Sequence, residues 1–479
     1  MTYAPTRRTA LVFLGTGTAG AYHAGVLRAL LEAGVRLDLV AGRGIGAVSA
    51  FFAAADAGVR LWDEAGLWTD QATKRLYRLR PLWQWLAACL VAALLAMALP
   101  LVFAVAIGAA YPVMFLVQLA APQAAAGLLA GYRDWLAFLL SKDLLSSIVP
   151  RFATAGLFAA ALSVALIWLV GIVRPSARRR LRGGLWGAAL GAPVDATRAV
   201  EWATRGFWEF IRGATTIAQP DAPDLGRRFA ELVSDSLGQP GYRELLLLAH
   251  DVDARRDVVC ALLDESHRAA FVEGDPDGRR ADRSRELLDL AGTGRDHVID
   301  ALAGALAVPM VCEPHRVRFA PEGPWRGETH RLCDRPGAVT RLFEEVALAG
   351  ATQLIVVSAV AGSAGPHALT AVRPGLRARA GEVIASAEAA ALDEATSATA
   401  HRFWGIHRIA PAHNPLGPFD LGGGYDDRSD RPFALRELVS RGYEDAYRQF
   451  IEPVVGASGE AMQTATVIPD PTEDLPLRS

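Results

Sequence analysis

The sequence predicts an α/β fold: a three-layer α/β/α sandwich on a mostly parallel sheet, interrupted by a transmembrane helical insertion. Three observations point there. The run Thr9–Leu14 is short and wholly apolar, as expected of a strand buried on both faces of a parallel sheet. A glycine-rich turn and a helical pattern follow it, and the same order of strand, glycine turn and helix returns at once over residues 36–57. No residue between Arg80 and Arg133, or between Arg151 and Arg174, carries a formal charge, and each stretch is long enough to cross a bilayer as a helix.

The first strand ends at Gly15-Thr16-Gly17-Thr18-Ala19-Gly20. Tyr22, Val26, Leu27, Leu30 and Leu31 then fall on one helical face that stops near Gly34. A second strand from Arg36 to Ala41 turns sharply through Gly42-Arg43-Gly44-Ile45-Gly46 into a small-residue helix, Ala47–Ala57. Residues 1–73 are therefore the first part of the α/β domain, 74–195 the membrane insertion, 196–455 the remainder of the domain, and 456–479 a polar, proline-interrupted tail predicted to be disordered. Within the insertion two spans are expected, at about 82–107 and 154–173; the first stretch is long enough to hold two, in which case Gly108 and Pro112 mark a break. With two spans in all, residues 111–131 are a re-entrant or interfacial segment, or a continuation of a long first helix. Lys74, Arg75, Arg78 and Arg80 before the first span, and Arg174, Arg178, Arg179, Arg180 and Arg182 after the second, place both flanks on the cytoplasmic side. Residues 444–451 mix apolar and charged faces and are read as a docking helix.

Composition excludes several function classes. Of 479 residues 52% are hydrophobic and 21% charged, with a mean hydropathy of +0.21, too apolar for an ordinary soluble enzyme unless the excess is localised. The net charge of −2 provides no basic field for nucleic acid. Four cysteines are too few for a disulfide scaffold and suit a reducing compartment. Lysine occurs only at 74 and 142, and this arginine bias with abundant Ala and Gly points to a GC-rich bacterial genome. The apolar run after Arg7 and Arg8 is too short for a secretory signal. The expected location is a bacterial inner (cytoplasmic) membrane, multi-pass, with the soluble domain in the cytoplasm.

Two chemistries fit the first glycine turn. Gly15-x-Gly17-x-x-Gly20 after a strand matches a dinucleotide fingerprint, with Asp38 as the ribose carboxylate, which would make the chain a nucleotide-binding membrane protein. That reading leaves the second glycine turn unexplained. Taken together, the two turns, the intervening Ala21-Tyr22-His23-Ala24-Gly25-Val26-Leu27 helix, the Ala303–Pro314 segment with its prolines and the Leu354–Val357 strand resemble the patatin-like phospholipase family. The resemblance implies a glycine oxyanion loop, here Gly15, Gly17 and Gly20, and a Gly-x-Ser-x-Gly nucleophile elbow, here residues 42–46. It also implies a Ser–Asp dyad that hydrolyses lipid esters without a cofactor or metal.

The chain departs from that pattern at the residues that matter. Gly44 stands at the serine position, Ala19 at the oxyanion-loop arginine, and Arg326 at the best local match for the dyad aspartate, in Trp325-Arg326-Gly327-Glu328. Asp420 and Asp426, in a later glycine turn, and Ser363, in Ala361-Gly362-Ser363-Ala364-Gly365, are fallback candidates. Ser49 lies too far along its helix to replace a group at the turn, and Thr16 and Thr18 have no evident base. His23 is expected to be structural. Arg43 is placed at the mouth of the pocket, beside the glycine loop, to attract an anionic head group. Cys312-x-x-His315 and His330-x-x-Cys333 have zinc-ligand spacing, although buried Cys and His are commonly packing residues. The expected role is lipid binding or scaffolding at the membrane, with membrane lipid as partner and no ester hydrolysis. An active lipid acyl hydrolase with a non-standard nucleophile is the alternative.

Overall fold

Thr9–Leu14 forms β1, buried along its whole length because both faces of the strand are covered by helices. Ala10, Val12 and Leu14, on one face, pack with Val339, Leu342 and Phe343 of the helix Val339–Leu348 and with Leu392 of the helix Leu376–Thr399. On the opposite face Phe13 meets His23 of helix α1 (Ala19–Glu32), their ring centroids 5.2 Å apart. In this computed structural model the chain divides into two units, residues 1–78 with 195–479, and residues 79–194. The structure describes residues 3–139, 141, 149–173, 191–273, 283–361, 375–426 and 428–456.

The remaining strands of the first unit are β2 (Leu39–Gly42), β3 (Glu244–Asp251), β4 (Arg256–Leu262), β5 (Leu287–Asp289), β6 (His315–Arg318), β7 (Thr329–Cys333), β8 (Gln353–Ser358), β9 (Gly405–Ile409), β10 (Gly424–Asp426) and β11 (Arg431–Phe433). The main sheet runs β5-β4-β3-β2-β1-β8-β9, with β7 pairing both β3 and β6. Pairings β1–β2, β2–β3, β1–β8, β8–β9 and β4–β5 are parallel, while β3–β4, β3–β7 and β6–β7 are antiparallel. The fold is therefore α/β with a mostly parallel central sheet. The second strand starts later than expected, because Arg36 and Asp38 form an ion pair and the Asp38 carboxylate accepts the Thr9 amide at 2.8 Å. Asp38 thus ties β1 to β2, a structural task and not that of a ribose ligand.

Helix α2 (Gly46–Ala54) follows β2 and adds Phe51 to an aromatic cluster with Phe207 and Phe229 from the helices Thr197–Arg212 and Ala222–Ser236. Helix α1 lies so close to the helix Leu435–Ala446 that a Cβ on Gly25 would stand 1.9 Å from the Val439 carbonyl oxygen. The expected docking helix spans the end of this helix and a π-helical segment, Tyr447–Gly456.

The second unit contains helices Pro81–Ala120, Pro122–Leu139 and Val149–Val173. The first continues through Gly108 and Pro112, the long-helix alternative. The first and third run antiparallel: the Trp85 indole donates to the Ser163 hydroxyl at 3.0 Å, and a Cβ on Gly156 would lie 3.2 Å from the Cys89 carbonyl oxygen. Leu90, Leu94, Leu95, Phe158 and Leu162 are exposed. Among the described residues one helical stretch, Pro81–Ala98, is long and apolar enough to cross a membrane, and Gly108–Ala120 and Pro150–Leu166 are shorter apolar stretches. The basic residues expected after the second span, and the tail from Ala457, lie outside the described residues.

Candidate functional site

Because β1 and β2 are parallel neighbours, with Phe13 opposite Gly42, the two glycine turns leave the same edge of the sheet side by side. This is where ligands enter doubly wound α/β folds. The second turn has elbow geometry. A Cβ on Gly42 would stand 2.3 Å from the Gly46 carbonyl oxygen, and one on Gly46 would stand 2.2 Å from that of Phe13, so both flanking positions require glycine. Gly44, at the apex, has φ +57°, the left-handed conformation in which an elbow holds its nucleophile.

What faces that apex is an acid. A Cβ on Gly44 would point to within 3.2 Å of Asp334 Oδ2. Asp334 follows β7 directly, its amide bonded to the Ala307 carbonyl at 2.8 Å. This corrects the assignment of Arg326, which is exposed in the β6–β7 turn, with φ +44°. The signal missed in the sequence was Asp334-Arg335-Pro336-Gly337, an aspartate at the end of a strand followed by Pro-Gly, on the correct side of Leu354–Val357.

Asp334 is not available as a base. The Arg43 guanidinium holds both its oxygens, at 3.0 and 2.8 Å, and donates to Glu388 Oε2 at 2.5 Å. All three side chains are at most 1% exposed. Arg43 is accordingly inside the protein and not at a pocket mouth. Burial pushes the Asp334 carboxyl up, against Arg43 and the amides of Arg335 and Gly44, which hold it down. Burial also pushes Glu388 up, opposed by Arg43 and assisted by the neighbouring Asp334 charge. One guanidinium facing two buried carboxylates favours a shared proton. Glu388, with a single oxygen on Arg43 and Oε1 without a partner among the described residues, is the better place for it. Nothing in the alanine-rich sequence around Glu388 marked it in advance.

The first glycine turn is also engaged. The Ile45 amide, the donor following the elbow apex, bonds to the Gly15 carbonyl at 2.9 Å. A Cβ on Gly44 would meet that same oxygen at 2.3 Å, so a carbonyl acceptor stands against the apex and takes the amide that follows it. The Thr18 amide and hydroxyl donate to Pro418 and Gly417 carbonyls at 3.0 and 2.9 Å. Gly17, with φ +58°, approaches so closely that its Cβ would lie 1.8 Å from the Pro418 oxygen. Residues 15–20 are buried, and Gly20 abuts the Trp68 indole.

His23 is fully buried, and desolvation pushes it down to about 3, so the ring is neutral. Its Nε2–H donates to the Leu14 carbonyl at 2.9 Å, leaving Nδ1 to accept from Ser49 at 3.3 Å. This Ser–His pair is sealed in the core. Asp426 accepts from Ser429, the Arg428 amide and His413, which together hold it down at about 2. Asp420 accepts the Gly417 amide at 2.8 Å. Both acids organise their own turns, neither is among the atoms nearest a Cβ on Gly44, and Ser363 lies outside the described residues. The zinc-spaced histidines have other partners: His330 bonds Asp251 and Glu328, His315 bonds Asp300, and burial raises the Cys333 thiol to about 11. No cluster of three or more metal-ligating side chains occurs among the described residues.

Residues 11–99 match the model of the patatin-like phospholipase family. The N-terminal segment is patatin-like. The match covers β1, both glycine turns and the start of the apolar helix. VipD from Legionella pneumophila is a solved structure to which the chain is similar, at 13% identity over 95% of this chain and 67% of that one, with a TM-score of 0.31. No curated protein matches the chain. The patatin-like turns are thus present as backbone, with a glycine at the apex and an ion-paired acid opposite.

Proposed function

We propose that the chain is a membrane-anchored patatin-like protein that binds or organises lipid at the cytoplasmic face of a bacterial inner membrane without hydrolysing esters. One observation carries the loss of chemistry: the elbow apex offers no hydroxyl, and the acid opposite is clamped by the arginine one residue before the apex. The Gly15 carbonyl turned to the Ile45 amide argues the same way. Removing the serine from a hydrolase that uses one lowers turnover by about 10⁶-fold.

Anchoring is supported by the charge-free, outward-facing aliphatic surface of Pro81–Ala98. The sheet constrains the topology. β2 precedes the insertion and β3 follows it, yet they are parallel partners, with Leu39 opposite Glu244. That pairing supports both ends of the insertion emerging on one side and hence an even number of crossings, of which two fit the apolar stretches. A reporter fused after Arg182 is expected to read cytoplasmic, and a periplasmic reading would overturn this topology. Purified full-length protein should release no fatty acid from mixed phospholipid vesicles. Release that disappears on Ser363→Ala would reinstate an active hydrolase.

A further inference from the structure

Apart from the elbow, the first unit contains a cavity of about 340 Å³ that no role above uses. Its wall joins the chain just before the insertion to the helix just after it. Arg75 and Arg78 come from one side, Arg198 and Arg205 from the other, with Glu201 and Trp202 beside them. Helical spacing explains the second group: Arg198, Glu201 and Arg205 occupy exposed positions along the helix Thr197–Arg212, one or two turns apart. Arg60, also in the wall, is neutralised by Glu209 at 2.9 Å. Asp70, a further wall residue, accepts the Ala72 amide as a helix cap. None of the four arginines Arg75, Arg78, Arg198 and Arg205 has a carboxylate within ion-pair distance among the described residues. The buried Trp202 indole N–H likewise has no acceptor among them.

Against Glu201 and Asp70 in the same wall, the four arginines leave a surplus of two positive charges on one concavity, which a counter-anion would balance. Guanidinium forks match phosphate oxygens in pairs. The volume accommodates a phosphate with a glycerol-sized substituent, at the lower end of ligand-pocket sizes. Arg78 is followed at once by Leu79 and the apolar helix, and Arg198 stands three residues after the chain returns at Asp195. Basic residues next to a span lie at head-group depth. We infer that this cavity is a phosphate site that takes the head group of an anionic glycerophospholipid. The lipid assignment rests on the membrane reading above, whereas the phosphate chemistry does not.

The test uses full-length protein in a neutral detergent, titrated calorimetrically with dihexanoyl phosphatidic acid, dihexanoyl phosphatidylcholine, glycerol 3-phosphate and inorganic phosphate. Phosphatidic acid is expected to bind, with phosphatidylcholine at least tenfold weaker. Arg198→Gln with Arg205→Gln should weaken phosphatidic acid by about tenfold or more, at roughly 1 kcal/mol for each basic residue. Glu201→Gln should tighten it, and the exposed pair Arg316→Gln with Arg431→Gln should leave it unchanged. Equal binding of inorganic phosphate and lipid would overturn the lipid assignment and leave a soluble-phosphate site. Binding that ignores Arg198, Arg205 and Glu201, or no binding at all, would overturn the site. Failure of the intact protein to float with phosphatidylcholine vesicles is a separate result that removes the membrane reading alone.

Discussion

Arg43→Met removes the one cation that, among the described residues, contacts Asp334 and Glu388, while keeping most of the side-chain volume. The exposure of all three partners is at most 1%, so water cannot replace the lost guanidinium. Breaking a buried ion pair from one side costs about 3–5 kcal/mol. With an unfolding entropy near 2.1 cal/mol/K per residue over a unit of about 360 residues, that is a fall in Tm of about 4–7 °C. The pH dependence has a definite sign. Burial raises both carboxyls, so each takes up protons on folding between the ordinary carboxylate range and its raised value. The stability linked to them is greatest below that window and declines as pH rises through it. Without Arg43 the carboxyls rise further, so the deficit of the variant should be largest at pH 8 and shrink towards pH 5. Adding Asp334→Asn and Glu388→Gln should restore most of the loss, because a neutral trio has no charge to desolvate. The assay is thermal unfolding followed by intrinsic fluorescence across that pH range. An Arg43→Met variant within 1 °C of the parent at pH 8, or a deficit independent of pH, would refute the buried triad.

Gly44→Ser should not create an esterase: its Cβ would stand 2.3 Å from the Gly15 oxygen, and Asp334 is bound to Arg43. Hydrolysis of 4-nitrophenyl butyrate is expected to remain at the buffer rate, and turnover above it would show that the elbow relaxes. Gly17→Ala and Gly34→Ala both place a side chain at positive φ, but only Gly17 has an atom in the way, the Pro418 oxygen at 1.8 Å. Gly34→Ala should cost about 1–2 kcal/mol, the left-handed penalty alone, and Gly17→Ala clearly more by denaturant midpoint. Equal costs would mean that the 417–418 segment does not seal the loop.

The sequence was most informative where one element dictates one pattern. A continuous apolar run such as Thr9–Leu14 is buried on both faces, and a glycine string after it forces a turn, so β1, β2 and the two turns were legible. The β6–β7 hairpin and the antiparallel β3–β4 pair were not anticipated, since they depend on contacts distant in sequence and on alternation too short to distinguish. At Gly108 and Pro112 the sequence left both a break and a continued long helix open; the helix continues, because a lone glycine or proline in an apolar stretch does not end it. The elbow was legible as backbone but not as chemistry. Arg43 looked like an exposed anion-binding residue because nothing local shows that Asp334 and Glu388, from elements about 290 and 345 residues further along, converge on it.

That convergence links the two departures at the elbow. With serine at the apex, the acid opposite would have a hydroxyl to bond and a proton to accept. With glycine there, Asp334 faces a hydrogen atom and two backbone amides, and a buried carboxylate with so few donors is costly. Arg43 Nη1 donates to both Asp334 oxygens, and Nη2 donates to Glu388. Gly44 also leaves the space into which the Gly15 carbonyl turns to meet the Ile45 amide. The glycine, the inward arginine and the Gly15 carbonyl turned to the Ile45 amide are therefore one packing solution, and restoring a serine alone restores neither of the other two.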